Sequence, residues 1–78
     1  RTLVAVFAEP VSSTLDWASI EALLMSVGCE LIEDSGSRVR FNSDGTVATF
    51  HQPHPGKEAK RYQVRAARDY LIKIGIEP

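Results

Sequence analysis

The sequence predicts an α+β domain of two layers, in which two helices pack on one face of a three-stranded antiparallel sheet. Three observations predict it: a helical repeat of apolar residues near position 20, two alternating segments around "NSDG", and a second helical repeat near the C terminus. At 78 residues the chain has room for one domain, residues 1–78. We expect an αβββα core over residues 16–76, preceded by a short N-terminal helix and connector over residues 1–12.

The N-terminal segment "RTLVAVFA" spaces its large apolar residues as one side of a helix. Pro10 disfavours helical conformation in the residue before it, so we expect this short helix to end near Glu9. The polar "VSST" that follows is typical of a connector.

The next helix is predicted over residues 17–27. Asp16 suits the N-cap position, because its carboxylate can accept hydrogen bonds from the free amides of the first turn. Gly28 can adopt the left-handed conformation that ends a helix. The apolar stripe of this helix comprises Trp17, Ile20, Leu23, Leu24 and Val27.

Three strands are predicted in "CELIE", "RVRF" and "TVATFH", with "NSDG" as a hairpin connection in which Gly45 takes a positive φ. The predicted partners are Phe41 with Thr46, Val39 with Ala48, and Gly36 with His51. Alternation then separates two faces of the hairpin. The buried face carries Val39, Phe41, Ala48 and Phe50. The open face carries Arg38, Arg40, Thr49 and His51.

The last helix is predicted from about Arg61 to Ile74, with Gly75 ending it. Its inward residues are Val64, Ala67, Leu71 and Ile74. Arg61, Arg65 and Arg68 follow at i, i+4 and i+7 and form one basic ridge.

The net charge of −1 conceals an asymmetry along the chain. Residues 1–34 carry six acidic residues and one basic residue, whereas residues 35–78 carry eight basic and four acidic residues. This split suggests a basic surface that meets a polyanion or an acidic partner, although ordinary solvated charge is the alternative. A lone cysteine, Cys29, favours a reducing compartment. Since no signal peptide or membrane span is evident, we expect a cytoplasmic protein without membrane association.

The αβββα order with a basic last helix resembles the double-stranded-RNA-binding fold. The segments "GSRVRF", "TFHQPHPGKE" and "VRAARDYLIKIGI", in this order, further resemble the HicA toxins of bacterial toxin–antitoxin pairs. The resemblance implies a ribosome-independent endoribonuclease that cleaves mRNA and is held inactive by a HicB-type antitoxin. In that family a Gly-Ser-His motif opens the second strand, whereas here Arg38 follows Gly36 and Ser37. Arginine stays protonated and cannot serve as a general base.

Both histidines lie in "FHQPHPG", where they are the candidates for proton transfer. Metal-independent RNA cleavage needs a base for the 2′-OH, an acid for the leaving 5′-oxygen and cations near the phosphate. By the predicted register His51 lies diagonal to Arg38. We therefore expect His51 to be the principal proton carrier, His54 the second candidate, and Arg38 a phosphate contact.

Two alternatives to catalysis stay open. The histidines can be ordinary polar residues, with His54 capping the last helix or contacting the antitoxin. The chain would then be a degenerate toxin that binds antitoxin or RNA without cleavage. We expect no metal and no other cofactor, because two histidines and a cysteine in another strand do not supply the four ligands of structural zinc.

Long basic side chains can follow an RNA backbone without base recognition. A solvated helical face is the alternative for several of them. The expected RNA-binding residues are Ser37, Arg40, Lys57, Lys60, Arg61, Arg65 and Arg68.

Overall fold

The computed structural model describes residues 1–33, 36–53 and 56–78. The elements are α1 (Thr2–Val6), α2 (Trp17–Ser26), β1 (Glu30–Glu33), β2 (Arg38–Ser43), β3 (Thr46–His51) and α3 (Arg61–Lys73). The strands form one antiparallel sheet in the order β1-β2-β3. The predicted α+β fold with its short extra N-terminal helix is confirmed. Within the described ranges, no helix is long and apolar enough to cross a membrane.

The core lies between one face of the sheet and the helices. Phe41 is fully buried and its ring meets that of Phe50 edge-on, with centroids 6.1 Å apart. Phe50 in turn packs against Trp17 at the start of α2, at 5.3 Å. Burial of a large apolar side chain stabilises the fold by about 1.5–3 kcal/mol. The fully buried side chains that the helices contribute include Val6, Ile20, Leu24, Val64 and Leu71.

The register of the β2–β3 hairpin differs from the predicted register by two residues. His51 lies opposite Arg38, not opposite Gly36, and Phe41 lies opposite Ala48. Because side chains alternate with a period of two, an even shift leaves every residue on its predicted face. The separation into a buried and an open face therefore holds, although the individual pairs were wrong.

The cause of this shift is the turn. Asp44 and Gly45 alone connect the strands, with φ of 49° and 90°, and both therefore lie in the left-handed region. Two-residue hairpins favour Asp-Gly for this conformation. Asn42 supports the turn by accepting the Gly45 N–H on its side-chain oxygen at 2.9 Å. The predicted pairing of Phe41 with Thr46 instead leaves all four residues of "NSDG" between the strands.

The start of α2 is satisfied by the backbone and not by the predicted carboxylate. Asp16 occupies the N-cap position, but its side chain makes no capping hydrogen bond. The Trp17 N–H donates instead to the Lys57 carbonyl oxygen at 2.9 Å, and the Ala59 N–H donates to the Leu15 carbonyl oxygen at 2.8 Å. The segment between β3 and α3 is thus attached to the residues that enter α2.

Tyr70 of α3 contacts the other end of the hairpin. Its hydroxyl donates to the Thr46 carbonyl oxygen at 2.8 Å and lies 3.3 Å from that of Phe41. Burial, together with the neighbouring Cys29 side chain, raises the pKa of Tyr70 from 10.0 to about 12. The neutral phenol is therefore the form that the folded state favours.

We expect the stabilisation from Tyr70 to be present below pH 10 and to be lost as the pH rises toward 12, because the folded-state pKa is the higher one. Tyr70→Phe should lower the free energy of unfolding at pH 8 by about 1–2 kcal/mol. It should also make stability fall less steeply between pH 10 and 12. Urea denaturation across this range measures both effects, and identical slopes for the two proteins would contradict the assignment.

Candidate functional site

The open face of the sheet brings together an imidazole and two guanidinium groups. Arg38 and His51 are cross-strand partners, and both side chains are exposed. Arg40, also exposed, lies opposite Thr49 at the next pair. Directly opposed residues have Cβ atoms roughly 4.5–5.5 Å apart. We name Arg38, Arg40 and His51 the sheet-face patch.

This patch combines a side chain that can transfer protons with two that can bind anions. The imidazole of His51 carries ring nitrogens that can accept or donate a proton. Guanidinium groups bind phosphate oxygens in a bidentate geometry. Arg38 lies directly opposite His51, and not diagonal to it as predicted, so the guanidinium and imidazole groups extend from adjacent positions on the open face.

Gln63 fixes the end of β3, a role that the sequence analysis does not assign. Its side chain is 2% exposed. The side-chain oxygen accepts the Lys60 N–H at 2.9 Å, and the side-chain NH₂ donates to the His51 carbonyl oxygen. A Gln at the third position of a helix is half of a capping box, but Lys60 is not a typical N-cap residue. The sequence signal for this contact is therefore incomplete.

Other predicted RNA-binding residues flank the patch at this end of the hairpin. Ser37 is exposed, and its carbonyl oxygen accepts the Gln52 N–H at 2.8 Å. Lys57 and Lys60 are exposed on the segment that leads into α3. His54, the second candidate for proton transfer, lies outside the described residues.

A cleft of about 280 Å³ separates this segment from the start of α2. Trp17, Pro53 and Lys57 contribute to its lining. The Trp17 indole nitrogen is buried and has no hydrogen-bond partner among the described residues. Among the residues that the structure describes, no three His, Cys, Asp or Glu side chains are grouped so that they could hold a metal ion.

Most of the basic ridge of α3 lies away from the sheet-face patch. Val64, Ala67 and Leu71 occupy the buried side of α3, which faces the sheet. Arg65 is exposed on the opposite side of the helix. Arg61 is exposed at the first position of the helix. Arg65 therefore lies on the far side of α3 from the sheet, whereas Arg61 begins α3 next to Lys60, near the His51 end of the hairpin.

Arg68 is committed to contacts within the protein. Its guanidinium donates to the carbonyl oxygens of Val6 at 3.1 Å and Ala8 at 3.0 Å, and it forms a salt bridge with Glu9. These contacts hold the end of α1 and the following residues against α3. We therefore assign Arg68 a structural role instead of the predicted contact with RNA.

Arg68→Ala should lower the free energy of unfolding by about 1–3 kcal/mol, because it leaves carbonyl acceptors without their donor. Arg65→Ala removes the same charge one turn earlier, from an exposed position, and should change stability by less than about 0.5 kcal/mol. Urea denaturation of both variants at pH 7 gives the comparison. Equal effects would show that the Arg68 contacts contribute no stability of their own.

Comparison with known proteins places these features in a family. A protein-family model described as "HicA toxin of bacterial toxin-antitoxin" matches residues 17–76, a range that includes α2, all three strands and α3. No curated protein and no solved structure gives a significant match to the chain.

Proposed function

The chain belongs to the HicA toxin family of bacterial toxin–antitoxin pairs, and from this premise we propose that it is an endoribonuclease that cleaves mRNA. As the toxin component of such a pair, it has an antitoxin partner. In this proposal the partner is of the HicB type and the protein acts in the bacterial cytoplasm. The observation that carries the proposal is the direct pairing of His51 with Arg38 on an exposed sheet face.

His51 supplies the proton transfer in the proposed reaction. The RNA 2′-oxygen attacks the adjacent phosphorus while its proton passes to a base, and the bond to the 5′-oxygen breaks as that oxygen gains a proton. His51 performs one of these transfers, and His54 is the candidate for the other. Arg38 and Arg40 bind the non-bridging oxygens and stabilise the negative charge that develops on them.

The residues around the patch supply affinity for the RNA backbone. Ser37, Lys57 and Lys60 flank the His51 end of the hairpin, and Arg61 begins α3 beside them. Contacts of this kind neutralise phosphates without base recognition, so binding should weaken as salt rises. Arg65, on the far side of α3, remains a prediction as a distant phosphate contact.

A second candidate function is binding without cleavage. Arg38 stands where the family's Gly-Ser-His motif has its histidine, and arginine cannot act as a general base. A degenerate toxin would retain the basic surface and its antitoxin but would leave RNA intact. The two candidates differ in one measurable property, the loss of mRNA on expression.

Expression of the wild type without antitoxin should arrest growth and deplete mRNA. His51→Ala should lower RNA cleavage by about 10²–10⁴-fold, the usual contribution of a positioned acid or base. Arg38→Ala should also lower it, whereas Lys73→Ala, which removes an exposed cation remote from the patch, should not. His54→Ala tests the second proton carrier.

Two outcomes would contradict the proposal. Full activity of both histidine variants would show that neither histidine transfers the proton. A folded wild type that neither arrests growth nor depletes mRNA would establish the binding function instead. Quantitative RNA sequencing and cleavage of a purified transcript provide the readouts.

A further inference from the structure

β3 is an exposed edge of the sheet without the usual protection. Among the described residues, the strand order β1-β2-β3 gives it a neighbouring strand on one side only. Its six residues, "TVATFH", include no proline and no Lys, Arg, Asp or Glu. Natural edge strands are commonly short, charged or interrupted, which prevents the addition of another strand. The opposite edge, β1, has four residues and a glutamate at each end.

The hairpin determines which backbone groups of β3 face outward. A two-residue turn closes on a hydrogen-bonded pair, here Ser43 and Thr46, and such pairs alternate with pairs that do not bond each other. The bond from the Gln52 N–H to the Ser37 carbonyl oxygen agrees with this alternation. The β3 residues whose N–H and C=O groups point away from β2 are Val47, Thr49 and His51.

One of these outward positions is already occupied. The His51 carbonyl oxygen accepts from the Gln63 side chain. Within the described residues, no hydrogen bond reaches the N–H or C=O groups of Val47 or Thr49. The edge is thus closed at its His51 end and open over the two preceding outward residues.

A groove runs beside this open part of the edge. It has a volume of about 230 Å³ between β3 and α3, and Val47, 50% exposed, lines it. The small side chains of Ala48 and Ala66 leave room in the groove, and Asp69 and Lys73 lie along the α3 side. The groove therefore accepts a small apolar side chain from a strand that lies against β3.

We propose that an extended segment of the antitoxin adds to β3 as a fourth strand, with backbone hydrogen bonds to Val47 and Thr49. Main-chain pairing supplies affinity in this mode of recognition, and pockets for alternate side chains supply specificity. Exposed Lys60 and Arg61 lie near the His51 end. We therefore expect the added segment to carry acidic side chains at the His51 end, where they complement these cations, and an apolar side chain beside the groove.

Only one part of this inference rests on the proposed function, namely the effect of the added strand on RNA cleavage. A strand that reaches the end of β3 lies beside His51, so it hinders RNA from approaching the sheet-face patch. The contact itself depends on the edge and not on the chemistry of the patch. Binding and cleavage can therefore be tested separately.

Amide hydrogen exchange, measured by NMR, tests the pairing directly. In the free protein the amides of Val47 and Thr49 should exchange fast, whereas those of Ala48 and Phe50 should be protected by β2. In the complex with its antitoxin, the amide exchange of Val47 and Thr49 should be slower by about tenfold or more. Unchanged exchange in the complex overturns the inference. Protection that appears with rising concentration of this chain alone assigns the edge to a second copy, which also overturns it.

Thr49→Pro removes one outward N–H, and Thr49→Val keeps it while removing the hydroxyl. Proline is tolerated at edge positions whose N–H faces solvent. Antitoxin affinity, measured by titration calorimetry, should fall about tenfold or more for Thr49→Pro and stay close to wild type for Thr49→Val. Equal affinities for the three proteins overturn the inference. If the proline variant does not fold, the exchange experiment on the wild type decides.

Cleavage of a purified transcript by the free wild type and the Thr49→Val variant is measured in parallel. Absence of cleavage with intact strand pairing contradicts the proposed function alone. Cleavage without strand pairing in the complex contradicts the inference alone.

Discussion

The alternation of side chains along the β2–β3 hairpin is the constraint on which the other features depend. Val39, Phe41 and Phe50 must face the helices, because they belong to the buried hydrophobic core that the sheet shares with α2 and α3. Their neighbours in sequence must then face solvent. A shift of one residue in either strand would exchange the two sets and bury charged side chains, at a cost of several kcal/mol for each. Burial on one face thus places Arg38 and His51 on the other.

Two polar contacts from α3 attach β3 at its two ends. Gln63 donates to the His51 carbonyl oxygen, and Tyr70 donates to the Thr46 carbonyl oxygen. Both side chains are buried. Loss of either hydrogen bond would therefore leave a buried polar group without a partner. The backbone of His51 is therefore held by α3, while its imidazole remains exposed on the open face of the sheet.

The sequence predicts those features that follow from local periodicity. The helices, the strands and the two faces of the sheet depend on repeats of 3.6 and 2 residues, which are present in the sequence. The register was not determined in this way, because "NSDG" allows a two-residue or a four-residue connection. Both connections keep the same parity, so the faces were predicted correctly from an incorrect register.

The contacts that the sequence did not predict join distant segments. Helical spacing correctly places Arg68 on α3, but no local signal indicates that Val6 and Ala8 fold back onto its guanidinium across some 60 residues. Spacing also predicts that Arg65 shares a ridge with Arg61, yet it does not indicate that Arg65 lies on the side of α3 that faces away from the sheet. Such relations depend on how whole elements pack and not on the residues nearby.

β3 presents two surfaces that can change independently. Its side chains determine the chemistry of the open face, and its outward backbone groups determine what can pair with the edge. A substitution on the neighbouring strand, such as arginine at position 38, alters the first surface and leaves the second intact. A partner held by the backbone of Val47 and Thr49 can therefore persist while the chemistry of the face diverges, because hydrogen bonds to the main chain do not depend on which side chain is present.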